Sequence, residues 1–277
     1  MKIANVADIH ARGKDLSACR DQLAAMVAEC IKRQVALVTI AGDIFDRASI
    51  GDNHASTGAI AEVPIRAVAE LTKHGIEVLM IPGNHDVSGA GSADALHVFD
   101  GMAKVHVVRD PCWWVYTDDQ CDNVHIFCLP WSWSGEDPGD ILWVQSVSRK
   151  ATLLLAHVRV TGAKMSRDFT CDAKPGTWQV SRGFLELLPF DHFALGDFHA
   201  RQNLTNGRGG YVGAIMQHNF GEEGNPAGFE VWNTETNETE WVELDAAPRY
   251  QTTTIDLNKG EYWIDSFRAD NTIQRVQ

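Results

Sequence analysis

Residues 76–86 read IEVLMIPGNHD, an apolar run followed directly by a polar motif. The run over 76–81 predicts a buried strand, because it is short and almost wholly apolar and follows Gly75, which ends the preceding helical pattern. The motif Gly-Asn-His-Asp at 83–86 begins where this strand ends. Binding sites in open α/β sheets form at the carboxyl ends of the strands. This stretch therefore predicts a buried sheet with a functional site at one edge.

Polar motifs follow four more predicted strands in the same manner. Each motif contains aspartate or histidine, and each comes directly after a short apolar run. In chain order they are Asp8-Ile9-His10 after Ile3–Ala7, Gly42-Asp43-Ile44-Phe45-Asp46 after Val35–Ala41, His157 after Ala151–Ala156, and Gly196-Asp197-Phe198-His199 after His192–Leu195. Because the carboxyl ends of parallel strands meet at one edge of a sheet, the five motifs are expected to converge in one cleft.

Helical patterns separate the first three of these strands. Apolar residues recur at helical spacing over 15–33, with Asp15 as the expected N-cap, and a second helical region covers about 54–74. Pro64 is placed to open a new helix within that region. The order strand, helix, strand, helix, strand predicts a parallel sheet with helices on both faces.

The rest of the chain alternates less regularly but belongs to the same predicted domain. Further apolar runs typical of strands lie at Val105–Val108, Val124–Leu129, Tyr211–Ile215, Phe229–Trp232, Glu240–Leu244 and Gln251–Ile255. No internal repeat or low-complexity linker divides the sequence. We therefore predict one domain over residues 1–256, followed by a polar C-terminal tail over 257–277.

Composition excludes several classes of protein. The 277 residues include 24 lysines and arginines against 37 aspartates and glutamates, a formal net charge of −13. With 44% hydrophobic and 22% charged residues, the composition is neither disordered nor collagen-like. The lack of a long apolar run and of a signal-peptide pattern predicts a cytoplasmic protein that does not bind membranes. The acidity excludes coating nucleic acid through bulk charge, but not an enzyme that holds phosphates locally.

The residue types in the five motifs favour a centre for two divalent metal ions. Carboxylates supply charge and imidazoles favour transition metals over Mg²⁺, so we expect Mn²⁺, with Fe²⁺ and Zn²⁺ as alternatives. Asp8 and His10, two positions apart at an extended strand end, point to the same side and can hold one ion together. Two ions roughly 3.5–4 Å apart can orient a hydroxide and neutralise the charge that develops on a phosphoryl group.

The ordered motifs resemble the signature of the calcineurin-like metallophosphoesterases, which runs D-x-H, G-D-x-x-D, G-N-H-D, a lone His and G-H-x-H. The resemblance covers residues 1 to about 235. Within that superfamily the sequence is most similar to the SbcD-type DNA repair exonucleases. The segments that carry this similarity are GDIFDR at 42–47, AH to TGA at 156–163, ALGDFHARQ at 194–202 and YVGA to FGE at 211–222.

The resemblance implies a fold, a ligand set and a catalytic residue. The implied fold is α/β, a four-layer αββα sandwich of two mixed β-sheets flanked by helices. The first metal is implied to bind Asp8, His10, Asp43 and His199, and the second Asp43, Asn84, His157 and Asp197. His85 is implied to stabilise the transition state or to protonate the leaving oxygen while a hydroxide attacks phosphorus in line. Asp86 is expected to orient His85.

One ligand departs from the family pattern, and the implied partners extend beyond the metals. Asp197 stands where the family has the first histidine of G-H-x-H, so the second ion would exchange an imidazole for a shorter, charged carboxylate. The expected partners are DNA, an SbcC-type ATPase and a second copy in a homodimer. SbcD-type proteins usually continue into a capping region and a helical segment that docks the ATPase. Because this sequence ends soon after the second predicted sheet, the ATPase is left open.

A basic stretch follows His157. Residues 149–182 contain seven basic and two acidic side chains, a local net charge of +5. Such a stretch can track a phosphate backbone or can be a solvated face. Trp131, Trp133 and Trp143 can likewise stack bases or pack in the core.

We therefore expect a Mn²⁺-dependent, SbcD-like DNA exonuclease or endonuclease. A small-molecule phosphodiesterase or phosphatase with the same metal centre, and a DNA-binding scaffold with impaired catalysis, are the alternatives.

Overall fold

The computed structural model describes residues 1–48, 57–88, 94–117, 123–132, 136–144, 151–165, 169–174, 176–253 and 272–276. Within them the chain forms strands and four α-helices, joined by loops and short 3-10 turns. The strands are β1 (Lys2–Val6), β2 (Leu37–Ala41), β3 (Glu77–Ile81), β4 (Val105–Val107), β5 (Cys112–Thr117), β6 (Asn123–Leu129), β7 (Thr152–His157), β8 (Arg159–Thr161), β9 (Gln179–Ser181), β10 (His192–Gly196), β11 (Gln202–Asn203), β12 (Gly209–Tyr211), β13 (Gly228–Asn233), β14 (Thr239–Glu243), β15 (Arg249–Thr253) and β16 (Thr272–Val276). The helices are α1 (Leu16–Arg33), α2 (Thr57–Lys73), α3 (Pro138–Val144) and α4 (Arg182–Leu187).

The first sheet has the strand order β14-β13-β1-β2-β3-β4. β1 to β4 run parallel, and β13 joins β1 in the antiparallel direction. Helices α1 and α2 cover one face, where Leu23, Val27, Val68 and Leu71 are buried in one apolar cluster with strand residues. Because the other face is covered as well, the central strands are buried along almost their whole length rather than at alternate positions.

The second sheet has the strand order β11-β12-β10-β7-β6-β5. β6, β7, β10 and β12 run parallel, and β5 and β11 form antiparallel edges. On its outer face, Leu142 of α3 and Leu185 of α4 are buried with Leu154 and Phe193 of the strands. This second apolar cluster fixes α3 and α4 against the sheet.

The two sheets pack face to face. Ile3 and Leu79 of the first sheet share a cluster with Ile126 and Leu153 of the second, and all four are 0% exposed. The order of layers is therefore helix, sheet, sheet, helix, which confirms the predicted αββα sandwich. In both sheets the parallel strands end on the side where the polar motifs begin.

Helix α2 differs from the sequence prediction. Pro64 lies inside it rather than at the start of a new helix, and the helix runs from Thr57 to Lys73. Proline costs about 3 kcal/mol inside a helix, because it removes a hydrogen bond and crowds the preceding turn. The apolar face that includes Val63, Val68 and Leu71 packs on the core and offsets this cost.

Two local predictions differ in part from the structure. Asp15 stands at the N-cap position of α1 as predicted, but its carboxylate accepts a hydrogen bond from Arg12 Nε at 2.7 Å and makes no capping hydrogen bond. The strand predicted over Tyr211–Ile215 instead covers Gly209–Tyr211, because the chain turns at Gly213, whose φ is 87°.

The C-terminal residues that are described contribute to sheet structure. β16 pairs in parallel with β15, so residues 272–276 of the predicted tail form a strand. Residues 254–271, which include the predicted domain boundary at 256, lie outside the described residues. No helix in the described part of the chain is long and apolar enough to cross a bilayer.

Candidate metal centre

The strands of both sheets bring the seven predicted ligands to one place. The first sheet supplies ligands from the loops after β1, β2 and β3, and the second supplies them from the end of β7 and the loop after β10. In chain order these side chains are Asp8, His10, Asp43, Asn84, His157, Asp197 and His199. The convergence expected from strand-end placement is therefore what the structure has.

One group of donors centres on His10. Its Nε2 lies 3.0 Å from Nε2 of His199 and 3.5 Å from Oδ2 of Asp43. Asp8, His10 and His199 each offer a donor atom, and those atoms lie within 4.8 Å of one another. This is the set implied for the first metal.

A second group of donors centres on His157. Its Nε2 lies 3.0 Å from Oδ1 of Asn84, 3.6 Å from Oδ2 of Asp43 and 3.8 Å from Oδ1 of Asp197. Oδ2 of Asp43 thus lies near both His10 and His157. The structure places Asp43 between the two groups, as a shared ligand requires.

Hydrogen bonds at the Nδ1 atoms orient two of the imidazole rings. Nδ1 of His199 lies 2.9 Å from Oε1 of Glu222, and Nδ1 of His157 lies 2.8 Å from the carbonyl oxygen of Ala41. Metal-binding histidines commonly donate this second N–H to a carboxylate or a carbonyl, which leaves Nε2 as the ligand atom.

Sequence reasoning assigned no role to two residues near His199. Glu222 also accepts a hydrogen bond from the backbone N–H of His218 at 2.8 Å, and His218 Nε2 lies 3.1 Å from the carbonyl oxygen of Asp8. The Phe-Gly-Glu segment at 220–222 carries a resemblance that could have pointed to the glutamate. His218 follows the predicted strand Tyr211–Ile215 by three residues, the spacing that His10 has after Ile3–Ala7, and this spacing could have pointed to it.

His85 lies beside the predicted ligands, but its hydrogen-bond partners are not the one that was expected. Its backbone N–H donates to Oδ1 of Asp43 at 2.9 Å, and its Nδ1 lies 2.8 Å from the carbonyl oxygen of Asp46. Asp86, which was expected to orient His85, is fully buried and accepts instead from the backbone N–H groups of Gly83, Ile44 and Phe45. That expectation is wrong, because a buried carboxylate is better satisfied by several backbone donors than by one side chain. Asp86 ties the two motif loops together.

The ligand loops carry strained backbone. Asp8, His10, Asp43 and Asp197 all have positive φ angles, of 50°, 47°, 53° and 106°. Residues other than glycine rarely adopt such angles, and each costs about 1–3 kcal/mol. Strain of this kind persists at sites where function requires a particular side-chain direction.

Two glycines beside the predicted ligands are required because a side chain would not fit there, and not because the backbone turns. A Cβ on Gly83 would collide with Asp43, and a Cβ on Gly196 would collide with the carbonyl oxygen of Ala41. Any larger residue at either position would therefore push the motif loops apart. Gly42, which precedes Asp43, instead has a positive φ of 83°, which favours glycine.

The donor set fits divalent cations. Oδ2 of Asp8 is buried and has no hydrogen-bond donor among the described residues. Asp8 and Asp43 are 0% and 2% exposed, and buried carboxylates are costly unless they are paired or bind a metal. Mixed carboxylate, amide and imidazole donors are those of transition-metal sites.

Burial shifts the pKa values of the buried donors in both directions. It raises the pKa of Asp8 to about 6 and also raises the pKa of Asp197. Burial and then the neighbouring imidazole of His199 lower the pKa of His10 well below its usual value. For His199, burial opposes protonation, but the hydrogen bond with Glu222 and the charge of Asp8 raise its pKa to about 9. The buried carboxylates thus favour an added positive charge beside them, whether a proton or a cation.

Asp197 has a partner that sequence reasoning did not assign. Its Oδ2 lies 3.4 Å from Nε of Arg159, while its Oδ1 faces His157. The carboxylate is therefore held between a cation and the second group of donors. The ion pair fixes the direction of the shorter side chain that stands where the family has histidine.

We expect Asp197→Ala to lower the metal content from about two ions per chain towards one, because it removes a charged donor from the second group. Elemental analysis of the purified variant measures this. Asp172→Ala, which removes an exposed carboxylate, is the matched control and should retain both ions. Unchanged metal content in Asp197→Ala would show that Asp197 is not a ligand.

We expect Glu222→Gln to weaken metal binding about 10–100-fold, because the carboxylate that holds Nδ1 of His199 loses its charge. Titration of the metal-free protein with Mn²⁺ gives the affinity. Glu238→Gln changes an exposed glutamate in the turn between β13 and β14 and should have no effect. Equal affinities in both variants would contradict an orienting role for Glu222.

Comparisons with known proteins place this site in a family. The profile of the family described as calcineurin-like phosphoesterase matches residues 1–201, which include all seven predicted ligands and His85. The protein TT1561 of Thermus thermophilus has a similar structure, with a TM-score of 0.50, 9% identity, and coverage of 87% of this chain and 98% of that one. At that identity the likeness shows the fold alone.

Two other solved structures match at lower TM-scores. A dimetal phosphatase from Danio rerio has a TM-score of 0.49 and 13% identity, with 83% of this chain and 91% of that one covered. The nuclease MPE of Pseudomonas putida has a TM-score of 0.29 and 19% identity, with 56% of this chain and 62% of that one covered. The family match over residues 1–201, together with the αββα sandwich and the donor clusters at its strand ends, gives the assignment: this chain belongs to the calcineurin-like phosphoesterase family.

Proposed function

We propose that the protein is a Mn²⁺-dependent phosphodiesterase that cleaves DNA, similar to the SbcD-type nucleases. The observation that supports DNA over a small molecule is a basic cavity of about 560 Å³ next to the candidate metal centre. The cavity begins at Ala200 and Arg201, directly after the predicted ligand His199.

Three cationic side chains line this basic cavity. They are Lys164, Arg182 and Arg201, against Glu223 as the one carboxylate among the described lining residues. In a chain with a net charge of −13, a local excess of positive charge marks where phosphates are favoured. Several cations in a row suit a phosphate backbone better than a single phosphate.

The predicted basic stretch contributes to this surface in part. Lys164 and Arg182 come from it, and Arg159 lies at the metal centre itself. Arg149, Lys150 and Arg167 lie outside the described residues.

The three tryptophans singled out for base stacking have different surroundings. Trp131 is 8% exposed and packs in the core of the second sheet, whereas Trp143 of α3 is 64% exposed. Trp133 lies outside the described residues. The proposal of a DNA substrate therefore depends on the cations and not on these rings.

The side chains of the site have different roles in the proposed hydrolysis. When bound, two divalent ions would orient the attacking hydroxide and neutralise the charge that develops on the phosphoryl group. The first ion would be held by Asp8, His10, Asp43 and His199, and the second by Asp43, Asn84, His157 and Asp197. When its imidazole is doubly protonated, Nδ1 of His85 donates to the carbonyl of Asp46, and Nε2 is the nitrogen left to donate a proton to the leaving oxygen.

The test compares three substrates with the Mn²⁺-loaded protein. They are single-stranded DNA, duplex DNA ends and bis-p-nitrophenyl phosphate. Cleavage of DNA well above the rate on the small ester supports the proposal. Hydrolysis of the ester alone would favour a small-molecule phosphodiesterase, and DNA binding without hydrolysis would favour a scaffold.

A charge reversal tests the basic cavity directly. We expect Lys164→Glu to weaken DNA binding and to lower the slope of binding against salt concentration by about one ion, since one phosphate contact is lost. Lys32→Glu, an exposed lysine on α1, is the matched control and should leave the slope unchanged. Equal slopes in the two variants would show that the basic cavity does not contact the DNA backbone.

A further inference from the structure

A second cavity, of about 380 Å³, adjoins the candidate metal centre on the side of His157. We call it the aromatic cavity, because Trp131 and Trp178 line it together with Arg159. Its volume falls in the range of small-molecule sites. Neither the metal ligands nor the basic cavity accounts for it.

The walls of the aromatic cavity contact residues of the metal centre. The ring of Trp131 lies 6.1 Å from the ring of His157, centroid to centroid, and Nε1 of Trp178 donates to the carbonyl oxygen of His157 at 3.0 Å. Nε of Arg159 lies 3.4 Å from Oδ2 of Asp197. A group in this cavity would therefore lie next to a phosphate at the metals.

Arg159 offers a fixed flat surface at the mouth of the aromatic cavity. Its guanidinium carbon lies 5.7 Å from the centre of the Trp131 ring, and its Nε faces Asp197. Two contacts thus restrain the side chain, of which 39% is still exposed. A planar guanidinium backed by an aromatic ring is a surface on which nucleic-acid bases stack.

The charge of the aromatic cavity selects a base over a phosphate. Glu136 and Asp137, both exposed, line it together with Arg159, the single cation among the described lining residues. Carboxylates repel a phosphate, whereas they accept hydrogen bonds from the amino group of a base such as cytosine. The basic cavity, with three cations, suits the phosphates instead.

We propose that the aromatic cavity binds the base of a nucleotide next to the scissile phosphate, stacked on the guanidinium of Arg159. This inference rests on the proposed function, because it assumes a nucleotide substrate. It assigns Trp131 to supporting the guanidinium, since that ring is only 8% exposed.

A binding experiment tests the subsite without relying on turnover. The Mn²⁺-loaded protein is titrated by calorimetry with the 5′-phosphonate analogue of deoxycytidine and with 1,2-dideoxyribose 5-phosphonate, which lacks the base. We expect the nucleoside analogue to bind at least about tenfold more tightly, within the usual effect of one stacked base. Equal affinities would overturn the proposal.

One substitution separates stacking from simple positioning. Arg159→Lys keeps a positive charge opposite Asp197 but removes the planar surface. We expect its metal content to stay at about two ions and its preference for the base-bearing analogue to fall below about threefold. Arg66→Lys, an exposed arginine on α2, is the matched control and should keep the preference. Equal weakening of both analogues in Arg159→Lys would mean that Arg159 only positions Asp197, and would overturn the proposal.

A kinetic experiment distinguishes this inference from the proposed function. Single-stranded DNA with one abasic residue is compared with intact DNA, and cleavage is followed at the bonds on either side of that residue. Slower cleavage at one flanking bond supports the subsite. Equal cleavage of all bonds would leave the nuclease function standing and refute the subsite. A base preference in calorimetry without any DNA cleavage would support the subsite and refute the nuclease function.

Discussion

We expect chelation with EDTA to abolish the hydrolysis of every phosphodiester, Mn²⁺ to restore it, and Mg²⁺ to restore little. The expectation follows from the donors, because three imidazoles, those of His10, His157 and His199, face the centre together with carboxylates. Imidazole-rich sites bind Mn²⁺, Fe²⁺ or Zn²⁺ in preference to Mg²⁺. The oxygen of Asp8 that has no described donor would remain unsatisfied without a cation.

The measurement is a rate with each metal added to protein that has been stripped by chelation and then dialysed. Bis-p-nitrophenyl phosphate serves as one substrate and DNA as the other, so that loss of DNA binding is not mistaken for loss of chemistry. Full activity in EDTA would refute a metal centre at this site, whatever the substrate.

We expect His85→Asn to lower the rate of hydrolysis at least about 100-fold, the usual contribution of a positioned acid. The variant is expected to keep both metals. The contact of His85 with Asp43 uses the backbone N–H, which asparagine retains, and its contact with Asp46 uses Nδ1. Asparagine can replace the contact to the Asp46 carbonyl but cannot donate a proton at the position of Nε2.

Single-turnover rates and elemental analysis of the same preparation provide the two readouts. His97→Asn changes an exposed histidine in the short turn before β4 and is the matched control. If His85→Asn instead lost a metal ion, His85 would be a ligand, an arrangement that its 4.8 Å ring distance to His10 allows.

The strands and the ligand positions were predictable because they depend on local order in the sequence. Asp43 and Asn84 each follow a run of buried apolar residues, and parallel strands carry such positions to one edge of a sheet. Such apolar runs are stable only where both faces of the sheet are covered. Strand-end placement alone therefore predicts which side chains meet, although not which atoms face one another.

The parts that could not be predicted depend on contacts between distant segments. Glu222 and Arg159 contact predicted ligands that lie on other loops, His199 and Asp197, and no spacing rule relates those positions. The role of Asp86 was misjudged for the same reason, since two of its backbone donors belong to the loop after β2. Pro64 shows that packing on α1 outweighs the intrinsic preference of a single residue.

Because the predicted ligands come from two sheets that are far apart in the sequence, the site can form only after most of the chain has been synthesised. His10 and His199, whose Nε2 atoms lie 3.0 Å apart, are separated by 189 residues of chain. At about 5–20 residues per second, a ribosome needs about 10–40 s to synthesise that interval. During almost all of those seconds the growing chain lacks both Asp197 and His199, one donor from each group. The two donor groups therefore cannot both be complete before residue 199 has been synthesised.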